Sequence, residues 1–296
     1  MTVSRPELDP GRGSSDNSER DPSVEQPIAL SAGQQGLWLA QKLSPDVPIS
    51  EAQYIECHGD LDIDLLRTMG IRAGRELRRE YTAPLDMTRD LLVTTAIVRL
   101  GDRHYLLYCR SHHVAMDGYG AMMIVNRIAA LYTAAVQGRI AEPNRAADIR
   151  ALYEADRSYR ESTRFTDDQA YWVSKLADVG EEPGLADRDA PPCADSVVAM
   201  TELSASTVGR IENSAKALGV SPAAVVIAAF GCYLARRTGR DEVLVNIPVS
   251  GRTTAVLRRS AGMFVNVAPI RIVLDPGDTV ATLALRVHTT VQRTRS

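Results

Sequence analysis

The chain has 296 residues, 45% of them hydrophobic, with a formal net charge of -3 and a pI of about 6.0. That length buries a real core, as one large domain or two smaller ones, and the slight acidity excludes the basic excess that a non-specific grip on nucleic acid needs. No apolar run of about eighteen or more residues predicts a membrane-spanning helix.

Residues 1–26 are polar, rich in Ser, Asp, Glu, Pro and Gly, and lack the apolar stretch of a signal peptide. They read as a disordered leader. Order is expected from Pro27. Ser31 to Ala40 reads as a short capped helix with Leu37 and Trp38 in its apolar stripe. Gln53 to His58 has the pattern of a strand, punctuated by Gly59-Asp60, and Ile63 to Glu80 that of a helix. Leu91 to Leu100 is apolar and branched, as in a buried strand. After the turn Gly101-Asp102, His104 to Ser111 completes a hairpin. Gly120 to Gln137 is a helix ended by Gly138.

A polar helix is expected over 145–176, broken near Arg164, followed by a Pro-rich acidic linker over 178–194. Beyond it come a strand over 196–203, a helix over 206–218 stopped by Gly219, and a helix opened by Ser221-Pro222. Strands over 242–249 and 263–274 and an amphipathic helix over 279–293 follow. The mixture predicts an α/β fold with an N-terminal lobe over 27–177, the linker, and a C-terminal lobe over 195–296. The four cysteines, Cys57, Cys109, Cys193 and Cys232, form no CxxC pair. They argue against a zinc or disulfide framework, and a reducing cytoplasm fits them best.

The chemistry concentrates in His112-His113-Val114-Ala115-Met116-Asp117-Gly118, directly after a predicted strand. Neighbours on an extended segment point to opposite faces, so one imidazole can meet a cavity while the other packs inward. A neutral imidazole can take a proton from an amine or hydroxyl as that group attacks a carbonyl. The same divergence argues against His112, His113 and Asp117 sharing a metal ion. Asp117 either orients a histidine or pairs with a buried arginine, since a buried charge needs a partner. Gly118 permits a tight turn between strand and helix.

His112, His113, Asp117 and Gly118 match the HHxxxDG signature, and the chain resembles the condensation domains of nonribosomal peptide synthetases. These belong to an acyltransferase superfamily that includes chloramphenicol acetyltransferase. Three further segments agree in order and spacing. Residues 31–39 resemble the opening motif SxAQxRLWxL, departing from it at Gly33 and Gly36. Residues 155–159 with Tyr171-Trp172 resemble the aromatic helix after the active site. Residues 262–267 with Arg271 resemble GxFVNTxxxR, and residues 247–252 the strand and Gly-Arg before it.

The resemblance implies a chloramphenicol acetyltransferase-like two-lobed α/β fold and amide formation in nonribosomal peptide, for instance siderophore, biosynthesis. The catalytic set it implies is His113, His112, Asp117 and Gly118, with His113 as the base or amine-positioning group. Arg252, or failing it Arg271, would support the site by pairing with Asp117. The Gly118 amide would steady an oxyanion. Asn266 and Trp38 would line the substrate tunnel, although Asn266 alternatively bonds within its sheet. No cofactor or metal is implied. A phosphopantetheine arm comes with the partner, a peptidyl or acyl carrier protein, and the substrates are an acyl thioester and an amine. Set against the family pattern, a block near residues 75–90 and the sheet and helix beyond Ser296 are missing. An incomplete second lobe and unpaired strand edges are therefore expected. Two alternatives stand beside amide formation, namely a stand-alone O-acyltransferase using an alcohol and a non-catalytic carrier-binding module.

Overall fold

The computed structural model describes residues 29–69, 71–74, 83–180, 185, 193 and 199–295, of which 72–74 and 295 by backbone alone. The leader expected over 1–26 lies outside the described residues, as does most of the linker expected over 178–194.

Helix α1 (Ala32–Leu43) starts in a capping box, with Ser31 Oγ accepting from the Gln34 amide and the Gln34 side chain accepting from the Ser31 amide. The buried residues of this helix are Gln34 and Gln41, seven apart, whereas Trp38 is 43% exposed. The expected stripe is therefore corrected at Trp38, while Leu37 is half-buried on the side of Gln34 and Gln41. Two glutamines face inward because each satisfies several backbone groups there, which offsets the cost of burying an amide.

Strand β1 (Ser50–His58) turns Glu51, Gln53, Ile55 and Cys57 inward, alternating with exposed neighbours. Helix α2 (Ile63–Thr68) is capped by Asp62. The helix expected over 63–80 stops at Thr68, β2 (Arg72–Gly74) pairs parallel with β3 instead, and residues 75–80 of that expectation lie outside the described residues. Burial explains this: Ile71 is 2% exposed beside Leu66, so leaving the helix sets an apolar side chain in the core and extends the sheet. Tertiary gain outweighs local propensity.

Strands β3 (Val93–Gly101) and β4 (His104–His112) form the expected hairpin, and the four-stranded sheet runs β1-β4-β3-β2. Helix α3 (Gly118–Val136) packs Ala121 and Val125 on its inner face with Leu107 and Cys109. By length and composition alone α3 could cross a membrane. Its apolar side rests on the sheet, however, and Arg127 near its middle donates to the Glu142 carbonyl at 2.6 Å.

Helices α4 (Arg150–Arg160) and α5 (Thr163–Leu176) divide at Ser162, which caps the second. No strand forms over 199–203, contrary to expectation. Met200 is 91% exposed there, so no sheet face covers it. Helices α6 (Ala205–Leu218) and α7 (Pro222–Thr238) each end in a left-handed glycine, Gly219 and Gly239. They and α8 (Val280–Arg295) pack around the antiparallel pair β5 (Glu242–Val249) and β6 (Asn266–Val273). Ile270, Ile272, Ala284 and Val287 centre this second core, separate from the first.

The start of α3 meets the loop between β5 and β6 closely at Gly120. A Cβ on Gly120 would lie 2.0 Å from the Ala261 carbonyl oxygen and 2.6 Å from Met116 Cγ. Backbone cannot yield as a flexible side chain can. Gly120→Ala is therefore expected to destabilise the fold by about 1–3 kcal/mol or more, the cost of overpacking a tight core, measured by chemical denaturation. Wild-type stability in the variant would show that this contact is loose.

Candidate active site

Strand β4 ends in the motif, and its pleat separates the two histidines. His112 is 0% exposed. Its Nδ1 accepts from the Val114 amide at 3.0 Å, so Nε2 carries the proton and donates to Gln41 Oε1 at 3.1 Å. Gln41 Nε2 in turn donates to the carbonyls of Ser44, Pro45 and Val47 at 3.0–3.2 Å, and its Oε1 accepts from the Ile49 amide at 3.3 Å. Burial, with the charges of His113 and Arg110, holds the pKa of His112 below the ordinary histidine range. His112 is thus a neutral clamp with no surface for a substrate, which corrects its placement in the catalytic set. Gln34 Nε2 donates to the Val114 carbonyl at 2.8 Å and holds the same loop from α1.

His113 points the other way. Its side chain keeps 30% of its surface open, while Nδ1 is covered and has no hydrogen-bond partner among the described residues. Nε2 is therefore the nitrogen that can meet a substrate proton. It lies 3.9 Å from Glu51 Oε2. Glu51 is directly opposite Ser111 in the β1–β4 ladder, and its other oxygen accepts from Ser111 Oγ at 3.3 Å. Burial pushes the Glu51 carboxyl up, helped by the charge of Asp117 and opposed by His113 and Ser111.

Sequence reasoning missed Glu51. The signal was the period of two in β1: Glu51 and Gln53 share the face of Ile55 and Cys57, and polar residues on a buried face are informative. Gln53 Nε2 donates to the Gly118 carbonyl at 3.0 Å. A Cβ on Gly118 would fall 2.9 Å from that nitrogen and 3.5 Å from Glu51 Oε2, so a larger residue would push the Gln53 amide off the Gly118 carbonyl.

Asp117 is the N-cap of α3, with Oδ1 accepting from the Gly120 amide at 3.0 Å. It is paired bidentately with Arg252 at 2.8 Å for both contacts, and both side chains are 2% exposed. Oδ2 also accepts from the Phe264 and Val265 amides at 2.9 Å. That is why β6 begins at Asn266 rather than at Met263: these amides serve Asp117 instead of a strand partner. Burial pushes the Asp117 carboxyl up, but the Arg252, Gly120 and Phe264 hydrogen bonds outweigh it and hold it below the ordinary range. Arg252 Nη2 also reaches the Gly262 carbonyl at 2.9 Å, and its guanidinium lies 4.5 Å from the Tyr119 ring centroid. With Gly120 and Ala121 donating to Asp117, the first-turn amides of Gly118 and Tyr119 have no intrahelical acceptor, which suits a developing oxyanion.

Arg271 takes no part here. It pairs with Asp178 at 2.6 Å and Glu242 at 2.7 Å, so the supporting role expected of it is corrected: it braces β6 against the end of α5 and β5. A cavity of about 630 Å³ lies between α1, α4, α5 and β6, bordered by Tyr159, Tyr171, Trp172, Phe264 and Asn266. His113 does not border it, whereas Phe264 and Val265, whose amides bond Asp117, do. Asn266 both borders this cavity and accepts from the Val267 amide at 2.8 Å. Trp38 borders no part of it. Its ring lies on the outer side of α1 under Lys42 Nζ, at 5.7 Å from the centroid, because Gln34 and Gln41 occupy the inner side.

A family model described as Condensation domain matches residues 72–296. The chain is 27% identical over 294 residues to the dimodular nonribosomal peptide synthase of Bacillus subtilis (strain 168), which aligns with 83% of it. It is 26% identical over 329 residues to the isonitrile lipopeptide synthase of Streptomyces coeruleorubidus, which aligns with 95% of it. It spans only 12% and 22% of the lengths of these two relatives. Among solved structures, the first condensation domain of the calcium-dependent antibiotic synthetase matches 90% of the chain at 25% identity and a TM-score of 0.80, with 74% of that domain covered. The starter condensation domain of rhizomide synthetase, solved with C8-CoA, matches 90% at 26% identity and a TM-score of 0.80, with 71% covered.

Proposed function

This chain belongs to the condensation-domain family, and from that premise we propose that it joins an acyl or aminoacyl thioester to an acceptor amine in nonribosomal peptide assembly. Both substrates arrive on phosphopantetheine arms of carrier-protein domains, and no cofactor or metal of the chain's own takes part. The amine attacks the thioester carbonyl, a C–N bond forms, and the C–S bond breaks as thiolate leaves. Nε2 of His113 takes the proton released by the amine and returns it to the departing sulfur. The Gly118 amide faces the oxyanion, and proximity supplies much of the rate. The observation that carries this reading is the half-open imidazole of His113, aimed at Glu51 from a loop locked by the Asp117–Arg252 pair.

Glu51 is a positioning residue that acts through His113. As a carboxylate it favours the imidazolium formed when the amine gives up its proton. The test is amide formation from donor-loaded and acceptor-loaded carriers, with amine and alcohol acceptors compared. Glu51→Gln is expected to lower kcat by about 10-fold to 100-fold, less than loss of the proton carrier itself. It should also abolish an acid limb in the pH–rate profile, which lies above the ordinary glutamate range because burial raises that carboxyl. No amide from the wild-type chain would overturn the function. An unchanged profile in Glu51→Gln would remove Glu51 from it.

A further inference from the structure

Two of the five histidines lie far from the motif, at the opposite end of the same strands. His58 closes β1, His104 opens β4, and the two are directly paired in the antiparallel register. Their rings stack with centroids 4.5 Å apart and planes 21° apart. Glu56, two residues before His58, sits on the same sheet face. One of its carboxylate oxygens lies 3.6 Å from His58 Nε2 and the other 3.5 Å from His104 Nε2. All three groups present a ligand atom within 4.8 Å of the others.

These distances are long for hydrogen bonds, and His104 Nε2 is covered yet has no hydrogen-bond partner among the described residues. They do suit a shared ion. Bonds of about 2.0–2.2 Å in a tetrahedral arrangement hold ligand atoms about 3.4 Å apart. Cross-strand pairing holds the two imidazoles side by side, and their near-parallel rings need only tilt about their side-chain bonds to aim both lone pairs at one ion. Two imidazoles and a carboxylate select a borderline divalent ion over a hard one such as calcium.

We propose that Glu56, His58 and His104 form a surface zinc-class metal site, with a fourth position open to water or to a donor from another chain. It stands apart from the condensation chemistry, since neither His113 nor Glu51 contributes.

Untagged full chain titrated with Zn²⁺ by calorimetry tests this, with thermal melting in Zn²⁺ as the second readout. One ion per chain and a rise in melting temperature are expected, because a ligand that binds only the folded state stabilises it. His58→Ala and His104→Ala should each weaken binding at least about tenfold, the loss that even a supporting neighbour of a ligand produces. His113→Ala should bind as wild type does. All three groups of the site are wholly or partly exposed, so the variants should fold, which circular dichroism checks. Unchanged binding in both site variants, or no binding at millimolar Zn²⁺, would overturn the proposal.

Discussion

His113→Ala is expected to cut amide formation by about 10²–10⁴-fold, the usual contribution of a positioned proton carrier, while leaving the fold intact. The ring keeps 30% of its surface open, and its nearest charged group, Glu51, is 3.9 Å away. Most of the ring is covered, so a modest stability loss accompanies the change, but among the described residues no side-chain hydrogen bond at Nδ1 goes with it. Residual rate should survive, because the carriers still bring amine and thioester together. The comparison that gives the result meaning is His112→Ala. That variant leaves Gln41 Oε1 and the Val114 amide short of a partner and opens a cavity where a fully buried ring stood. It should lose stability first and activity as a consequence. Single-turnover product from pre-loaded carriers, alongside a melting curve for each variant, separates the two. Equal product from wild type and His113→Ala would remove His113 from the mechanism.

Arg252→Ala is expected to cost about 3–5 kcal/mol, because it strands a buried carboxylate. Asp117 would keep its amide donors but lose both charged contacts, and the Gly262 carbonyl would lose its donor. For a chain of this size the melting temperature should fall by about 10 °C. Arg252→Lys should rescue only part of the loss, since an ammonium cannot reproduce the two-pronged contact or lie flat on Tyr119. Acid should reproduce the effect in the wild type. The folded pKa of Asp117 is depressed, so its contribution is complete above the ordinary aspartate range and disappears as pH falls through the folded value. Stability should accordingly fall below about pH 4, and less steeply in Arg252→Ala, where the depression is relieved. Chemical denaturation at a series of pH values measures both. Equal slopes would place the acid sensitivity elsewhere.

The two corrected arginine and tryptophan assignments mark the limit of motif spacing. Motif position ranks Arg252 ahead of Arg271 as the partner of Asp117 but does not exclude the second. The choice between them depends on which reaches back across 135 residues to the start of α3, and the route is set by the loop from Ser250 to Val265. Trp38 failed for a related reason. An apolar stripe assumes an apolar floor, and the inner side of α1 instead meets the carbonyls of Val114, Ser44, Pro45 and Val47, to which Gln34 and Gln41 donate. The helix expected over 63–80 gave way because burying Ile71 beside Leu66 is worth more than continuing a local preference.

What the sequence by itself determined was local and periodic. The hairpin of β3 and β4, the caps at Ser31 and Ser221, the glycine stops at Gly138 and Gly219, and the opposition of His112 to His113 all follow from backbone geometry within a few residues. The motif resemblance already pointed Asp117 to Arg252, but tertiary structure alone decided that Glu51 meets His113 and that Glu56 meets His58 and His104. Strand register and loop route set these encounters, and both are outcomes of the whole core's packing, to which no short stretch of residues has access.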